Sequence, residues 1–479
     1  MSTDPAVRTA PVRTAPESTE GMPSGIPFIV GNEAAERFSF YGMKAILVVF
    51  MTKHLLDAEG NPAYFSETAA KEVYHYFTAS AYFFPLLGAL LADWLLGKYR
   101  VIIWLSVLYC VGHGVLALMD IPALTGVPPK YALFAGLALI AVGSGGIKPC
   151  VSAHVGDQFG RRNAHLLERV FGWFYFSINL GAFVSMLLTP YLLEHYGPAW
   201  AFGTPGLLMT LATYVFWLGR HRYAHIPPGG DAFVREIKAA NTWQAIGRVV
   251  PILLLITPFW MLFDQTGSAW VLQLTKMNGS MPGGWELLPS QVQAANSIMV
   301  LTFIPLFSLL LYPFASRFTT VTPLRKIGVG LFLAAVAFGA VAIIEQWIAA
   351  APEGDAPHRL WQLIPFAIIT AAEILVSITS LEFIYSQAPR NLKSVLMGLY
   401  FLSISLANVV VGLVNKLIGA VQSQPGREDF LEGASYYVFF AGVAVASGVL
   451  FVLWSRTYQY HTILQDDADA EVVADAVNE

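Results

Sequence analysis

Four ionisable residues, Glu33, Glu36, Arg37 and Lys44, stand close together in one otherwise apolar stretch. At about 100° per residue, Glu33, Arg37, Tyr41 and Lys44 fall in a stripe roughly 80° wide on a helix. A polar stripe of that kind belongs against a cavity rather than against lipid. Further charges interrupt other apolar blocks: Lys148, Asp264 and Glu373, with His75 beside Tyr74. An ionisable group at mid-bilayer costs roughly 2.5–3.5 kcal/mol or more, so each needs a partner or a task. Helix-to-helix salt bridges are the plainer explanation, and they suit Glu36 with Arg37 and Asp93 with Arg100. For His75 alone, packing is the commoner role. Buried ion pairs contribute little net stability, however. Acids and bases spread over several segments are better explained by a water-accessible site for a charged solute.

The elements that position these residues are membrane helices. Of the 479 residues, 56% are hydrophobic and 13% charged, against a soluble norm of roughly 25% charged. Val101–Leu118, Tyr131–Ile147 and Ser297–Phe314 are near-continuous apolar runs, long enough to span a bilayer. Twelve spans are expected, near 27–53, 70–96, 100–119, 130–152, 169–193, 198–219, 248–273, 292–314, 324–349, 360–386, 394–419 and 434–458. Most of the 28 Lys and Arg residues lie in the N-terminal tail and in loops after even spans. The loops after odd spans hold only Lys53, Lys71, Lys130, Lys276, Arg359, Lys416 and Arg427. That bias puts both termini in the cytoplasm.

An even count with both ends inside fits two six-helix bundles, 27–219 and 248–460, joined by a linker over 220–247. Within the linker, 234–249 reads as an amphipathic surface helix. Residues 1–26 read as a disordered tail. From 461 onward the chain carries Asp466, Asp467, Asp469, Glu471, Asp475 and Glu479 and no Lys or Arg, which accounts for the net charge of −4. Two cysteines, Cys110 and Cys150, are too few for a disulfide framework. No HExxH, G-x-S-x-G or P-loop pattern is present, which argues against an enzyme.

Glu33–Gly42 (EAAERFSFYG) resembles the first-helix motif E-x-x-E-R-F-x-Y-Y-G of the proton-coupled oligopeptide transporters, a family of the major facilitator superfamily. Phe174–Phe183 (FYFSINLGAF) is similar to that family's fifth-helix signature. Gly143–Ser152, Phe259–Trp270 and Glu373–Pro389 resemble its stretches on helices 4, 7 and 10. Gly88–Arg100 resembles the superfamily loop between spans 2 and 3, in which Asp93, Gly97 and Arg100 would form a charge-paired helix-end hinge.

The resemblance implies an all-α transmembrane major facilitator fold and proton-driven uptake of di- and tripeptides by alternating access. It implies no cofactor beyond the proton gradient, no nucleic-acid partner, and a monomer working in the inner membrane of a bacterium. Carried over by position, Glu33, Glu36, Arg37, Lys148 and Asp264 are the proton-coupling and gating set. Lys44 faces the peptide carboxylate and Glu373 the peptide amino group. Asn179 and Asn296 are site amides, and Tyr41, Tyr82 and Tyr400 are wall residues. Phe40, His75 and Phe263 are further candidates.

The sequence also departs from the family pattern. Phe40 replaces a tyrosine, and Lys44 stands where arginine is frequent, so a bidentate grip becomes a point contact. The loop over 220–247 lacks the extra helix pair of many bacterial members, and 350–359 has no room for the large extracellular domain of animal members.

A short peptide is a zwitterion with termini roughly 5–10 Å apart, and charges of opposite sign on the two halves would favour closure around it. Proton coupling needs an acid whose surroundings change with conformation, since desolvation raises a carboxyl pKa and a nearby cation lowers it. An exchange of Glu36 and Lys148 between paired and unpaired states would supply this. The nearest alternative is another small solute on the same fold, such as nitrate or a peptide-like drug. An acid at Glu373 would repel a bare anion.

Overall fold

The computed structural model describes residues 13–119, 121–238, 240–352, 354–386 and 393–458. Among them the chain is all-helical, with isolated β-bridges and no strand. Eleven helices are long and apolar enough to cross a membrane. They follow a first helix, α1 (Ile26–Val49), which is equally long but carries the four charges noted above. The eleven are α2 (Glu67–Leu96), α3 (Lys98–Leu118), α4 (Pro129–Gly156), α5 (Ala164–Tyr196) and α6 (Pro198–His221), then α7 (Ile246–Leu274), α8 (Pro289–Ala315), α9 (Pro323–Ala350), α10 (Arg359–Ile384), α11 (Leu396–Gln422) and α12 (Ala434–Ser455).

Local sequence sets where these helices begin and turn. The Ser66 hydroxyl accepts the Ala69 N–H and caps α2, and Thr322 accepts from Arg325 at the start of α9. Such caps satisfy donors that a helix N-terminus leaves free. Gly97 adopts φ 77° in the tight turn between α2 and α3, a conformation costly for any residue with a β-carbon.

Packing divides the molecule in two. One apolar core joins residues from Ile26 to Tyr223, with Val271 and Leu272 of α7 added at its edge, around Phe50, Tyr109 and Phe202. A second joins Val249 to Phe451, around Trp270, Phe338 and Phe440. The halves touch at the end away from the chain termini. There Lys276 pairs with Glu67 at 3.1 Å, the Gln291 amide donates to the Leu187 carbonyl at 2.9 Å, and Gln293 donates to the Ala45 carbonyl at 3.2 Å. Nearer the termini a crevice of about 1290 Å³ separates them, lined by Asp93, Lys98, Lys148, Glu382 and Met397 among others.

Three expectations need correction. Of the tail 1–26, residues 1–12 lie outside the described residues, but 13–25 are held in place. The Arg13 carbonyl accepts the His225 N–H at 2.7 Å, its guanidinium donates to the Arg222 carbonyl, and Asn163 donates to the Gly21 carbonyl. Helix in the linker begins at Gly230, before the expected 234–249. Its Phe233, Val234 and Ile237 lie along an apolar groove with Leu87, Leu91 and Trp94 of α2, and Gly229 N–H donates to the Asp93 carbonyl. Residue 239 lies outside the described residues, and from Ala240 helix runs on into α7. Finally, Asp93 and Arg100 form no ion pair. The pair at that turn is Lys98 with Asp157 of the α4 end, at 2.8 Å. Burial of Asp157 raises its pKa despite the lysine beside it. The acidic tail over 461–479 lies outside the described residues.

Candidate binding chamber between the halves

A chamber of about 890 Å³, counting the space by which it opens to solvent, lies at the interface. The first half contributes Tyr41, Lys44, Tyr74, Tyr82, Tyr175 and Asn179. The second contributes Phe263, Asp264, Gln293, Asn296, Ser297 and Glu373. Tyr41, Lys44, Tyr82, Asn179, Phe263, Asp264, Asn296 and Glu373 were all named from sequence, and they share this one space.

Asp264 is presented by a break in its helix. The α-helix ending at Phe263 gives way to a 3₁₀ turn over Asp264–Gly267, and helix resumes at Ala269. The break leaves Asp264 facing α1, where Lys44 Nζ meets its carboxylate at 2.7 Å. This buried pair joins the halves directly. The other Asp264 oxygen accepts the Asn408 amide at 2.7 Å. Asn408 in turn bonds one His75 nitrogen at 2.7 Å, and the other His75 nitrogen lies 2.9 Å from the Ser268 hydroxyl. His75 therefore sits in a polar chain crossing from one half to the other, with both ring nitrogens engaged. It does not line the chamber.

On the opposite wall, Glu373 ends the first part of α10, just before a π-helical turn over Ile374–Ile378. Such turns redirect side chains at the cost of regular bonding. Asn296 donates to Glu373 at 2.9 Å and to the Thr370 hydroxyl at 2.9 Å. The chamber thus has a cation on one half and a carboxylate on the other, between aromatic walls.

The remaining residues lie elsewhere. Glu33 and Glu36 are fully buried inside the first half. Arg37 Nε bonds Glu33 at 2.7 Å and lies 3.4 Å from Glu36. This cluster is beside the chamber, not in its wall. Lys148 forms no pair with Glu36 here. Among the described residues its ammonium has no hydrogen-bond partner, and it sits 3.4 Å from the centre of the Phe40 ring and 4.6 Å from that of Tyr82. Phe40, which loses a hydroxyl relative to tyrosine, provides a π-face for this cation. Lys148 lines the crevice, and Tyr82, stacked on Phe401 at 6.1 Å, stands between crevice and chamber. Tyr400 is also outside the chamber wall. Its hydroxyl lies 3.2 Å from that of Ser377 and its ring is edge-on to Trp260.

Tyr74, Tyr175, Gln293, Ser268 and Asn408 were not singled out from sequence. Helical spacing could have found most of them. Tyr74 is two turns from Tyr82, Tyr175 one turn from Asn179, Gln293 one from Asn296, and Asn408 two from Tyr400.

Two helical halves around an interfacial chamber, with a broken helix at the charged site, are the architecture found in many secondary transporters. Comparison with known proteins agrees. A family model described as "POT family" matches residues 99–246 and 236–431. A crystal structure of an auto-inhibited POT family peptide transporter superposes with TM-score 0.81 at 35% identity, covering 92% of this chain and 99% of that one. The in meso crystal structure of the POT family transporter PepTSo gives 0.81 at 34%. Solute carrier family 15 member 2 of Danio rerio is 39% identical over 68% of this chain and 50% of its own length. Peptide transporter family 1 of Drosophila melanogaster is 36% identical over 66% of this chain and 47% of its own. The chain spans about half the length of the curated relatives it matches. It belongs to the POT family.

Proposed function

We propose that this protein takes up di- and tripeptides together with protons by alternating access. The observation that carries the reading is the placement of Lys44 and Glu373 on opposite halves of one chamber. A peptide lying across it would give its carboxylate to Lys44 and its ammonium to Glu373, and the aromatic walls would accept varied side chains.

Lys44 is already held by Asp264, so a peptide carboxylate must compete with that aspartate. A proton on Asp264 would neutralise it and release Lys44 to the substrate, which couples proton arrival to peptide binding. Release would follow loss of that proton and re-formation of the Lys44–Asp264 pair, the peptide leaving through the crevice bearing Lys148. Glu33, Glu36 and Arg37 would serve the coupling from inside the first half. Lys148, without a hydrogen bond among the described residues, would be their moving partner.

The basic loops support a cytoplasmic location for both termini, and the short segment between α9 and α10 supports a bacterial member of the family; a monomer in the inner membrane is part of the same proposal. The test is uptake of labelled dialanine into liposomes with an imposed inward proton gradient. Concentrative uptake that collapses with an uncoupler is expected. Uptake indifferent to the gradient would refute the coupling, and no competition by dipeptides would refute the substrate.

A further inference from the structure

A second polar cavity, of about 960 Å³, lies between the halves at the end away from the termini. Its walls come from the start of α2 in the first half, and from α7, α9, α12 and the loop before α12 in the second. Lys71 enters it from α2. The residue is only 8% exposed. Its ammonium rests 4.0 Å from the centre of the Tyr436 ring, and among the described residues no hydrogen bond or ion pair reaches it. Its stem is buried while its ammonium faces the cavity without a carboxylate beside it, which leaves it open to an anion.

Carboxylates that could meet it are present but committed or held apart. Glu67, one turn before Lys71, pairs with Lys276, and Glu345 accepts the Gln273 amide at 2.5 Å. Glu432 lines the same cavity, and its carboxylate has no hydrogen bond or ion pair among the described residues. The loop that brings it there is strained. Leu431 holds φ 49°, a conformation uncommon for a residue with a branched side chain.

We propose that this cavity is a second binding site, for a small zwitterion whose carboxylate meets Lys71 and whose ammonium meets Glu432. A bare anion would face the surrounding glutamates, and a bare cation would face Lys71, so one ligand carrying both charges fits best. Both halves build the walls, so the site exists only while this end is closed. A ligand here favours that state and opposes opening, because a ligand shifts an equilibrium towards the state it binds better. The site is distinct from the Lys44–Glu373 chamber and does not depend on that chamber's substrate.

Equilibrium binding of labelled dialanine to the purified full-length chain tests this. Wild type is expected to bind two per chain. Lys71→Met and Glu432→Gln should each bind one, retaining the component that Glu373→Gln removes, and Lys71→Arg should recover two. Glu432→Gln lies on a surface loop and guards against a folding defect in the buried lysine variant. One site in wild type, unchanged in Lys71→Met and Glu432→Gln, overturns the proposal while leaving the chamber intact. Two sites that survive both substitutions also overturn it. Loss of the Glu373-dependent component alone would count against the chamber reading and not against this site.

Discussion

Glu373 accepts a hydrogen bond from Asn296 and faces a chamber whose other wall carries Lys44. If the carboxylate takes a peptide ammonium, Glu373→Ala removes a charge-assisted hydrogen bond of about 1.5–3 kcal/mol. That corresponds to an affinity loss of about 10- to 150-fold. The loss should be confined to peptides with a free amino terminus, and N-acetylated dialanine should bind wild type and variant alike. Equal affinity of the two proteins for free dialanine would remove Glu373 from the site. Glu36 and Lys148 call for a different readout, since neither lines the chamber. Glu36→Gln and Lys148→Ala are expected to abolish accumulation driven by a proton gradient while exchange of peptide across the membrane persists. In wild type, uptake should rise as the outside pH falls, because protons are co-substrates; in these variants that dependence should flatten. Normal accumulation by both would remove them from coupling.

The helices were legible from apolar run length alone, because a bilayer demands it. Even α1 was found despite its charges. What escaped the sequence depends on contacts between distant segments. Asp93 and Arg100 share a loop and invite pairing on paper, yet the lysine at 98 reaches Asp157 on another helix. The linker helix begins at Gly230 and lays its apolar side chains along α2, which periodicity within 234–249 does not reveal. The break at Asp264 is likewise set by what α1 presents to it. Close helix crossings fall in the same class. A β-carbon at Gly88 of α2 would lie 2.6 Å from the Gly145 carbonyl of α4, and backbone cannot yield as a side chain end would. Gly88→Val should therefore destabilise the first half by about 1–3 kcal/mol or more, read as a lower midpoint of thermal unfolding in detergent. Gly31→Ala, where nothing lies within 4 Å of the added carbon, is the control. A midpoint unchanged in Gly88→Val would show that the crossing is looser than drawn.

Alternating access is a property of the two halves together, and the structure holds one arrangement of them. The Lys44–Asp264 pair, the His75–Asn408 bond and the Lys276–Glu67 bridge all fasten the end away from the termini. The proposed transport would require that these contacts part in every cycle, whatever the solute. A covalent link there should stop the cycle without touching the chamber. Thr68 of α2 and Gly419 of α11 offer the position: a β-carbon at 419 would lie 3.7 Å from that of Thr68, within the Cβ separation of a disulfide. The natural cysteines, Cys110 and Cys150, are free and lie inside the first half, so they do not compete for the new pair. The double variant Thr68→Cys, Gly419→Cys should lose uptake on oxidation and regain it on reduction, whereas each single variant should transport under both conditions. Binding at the chamber should survive oxidation, because Lys44 and Glu373 remain where they are. Full uptake by the verified cross-linked protein would mean that this end never opens, and the rocking of two rigid halves would have to give way to a motion confined to the crevice end.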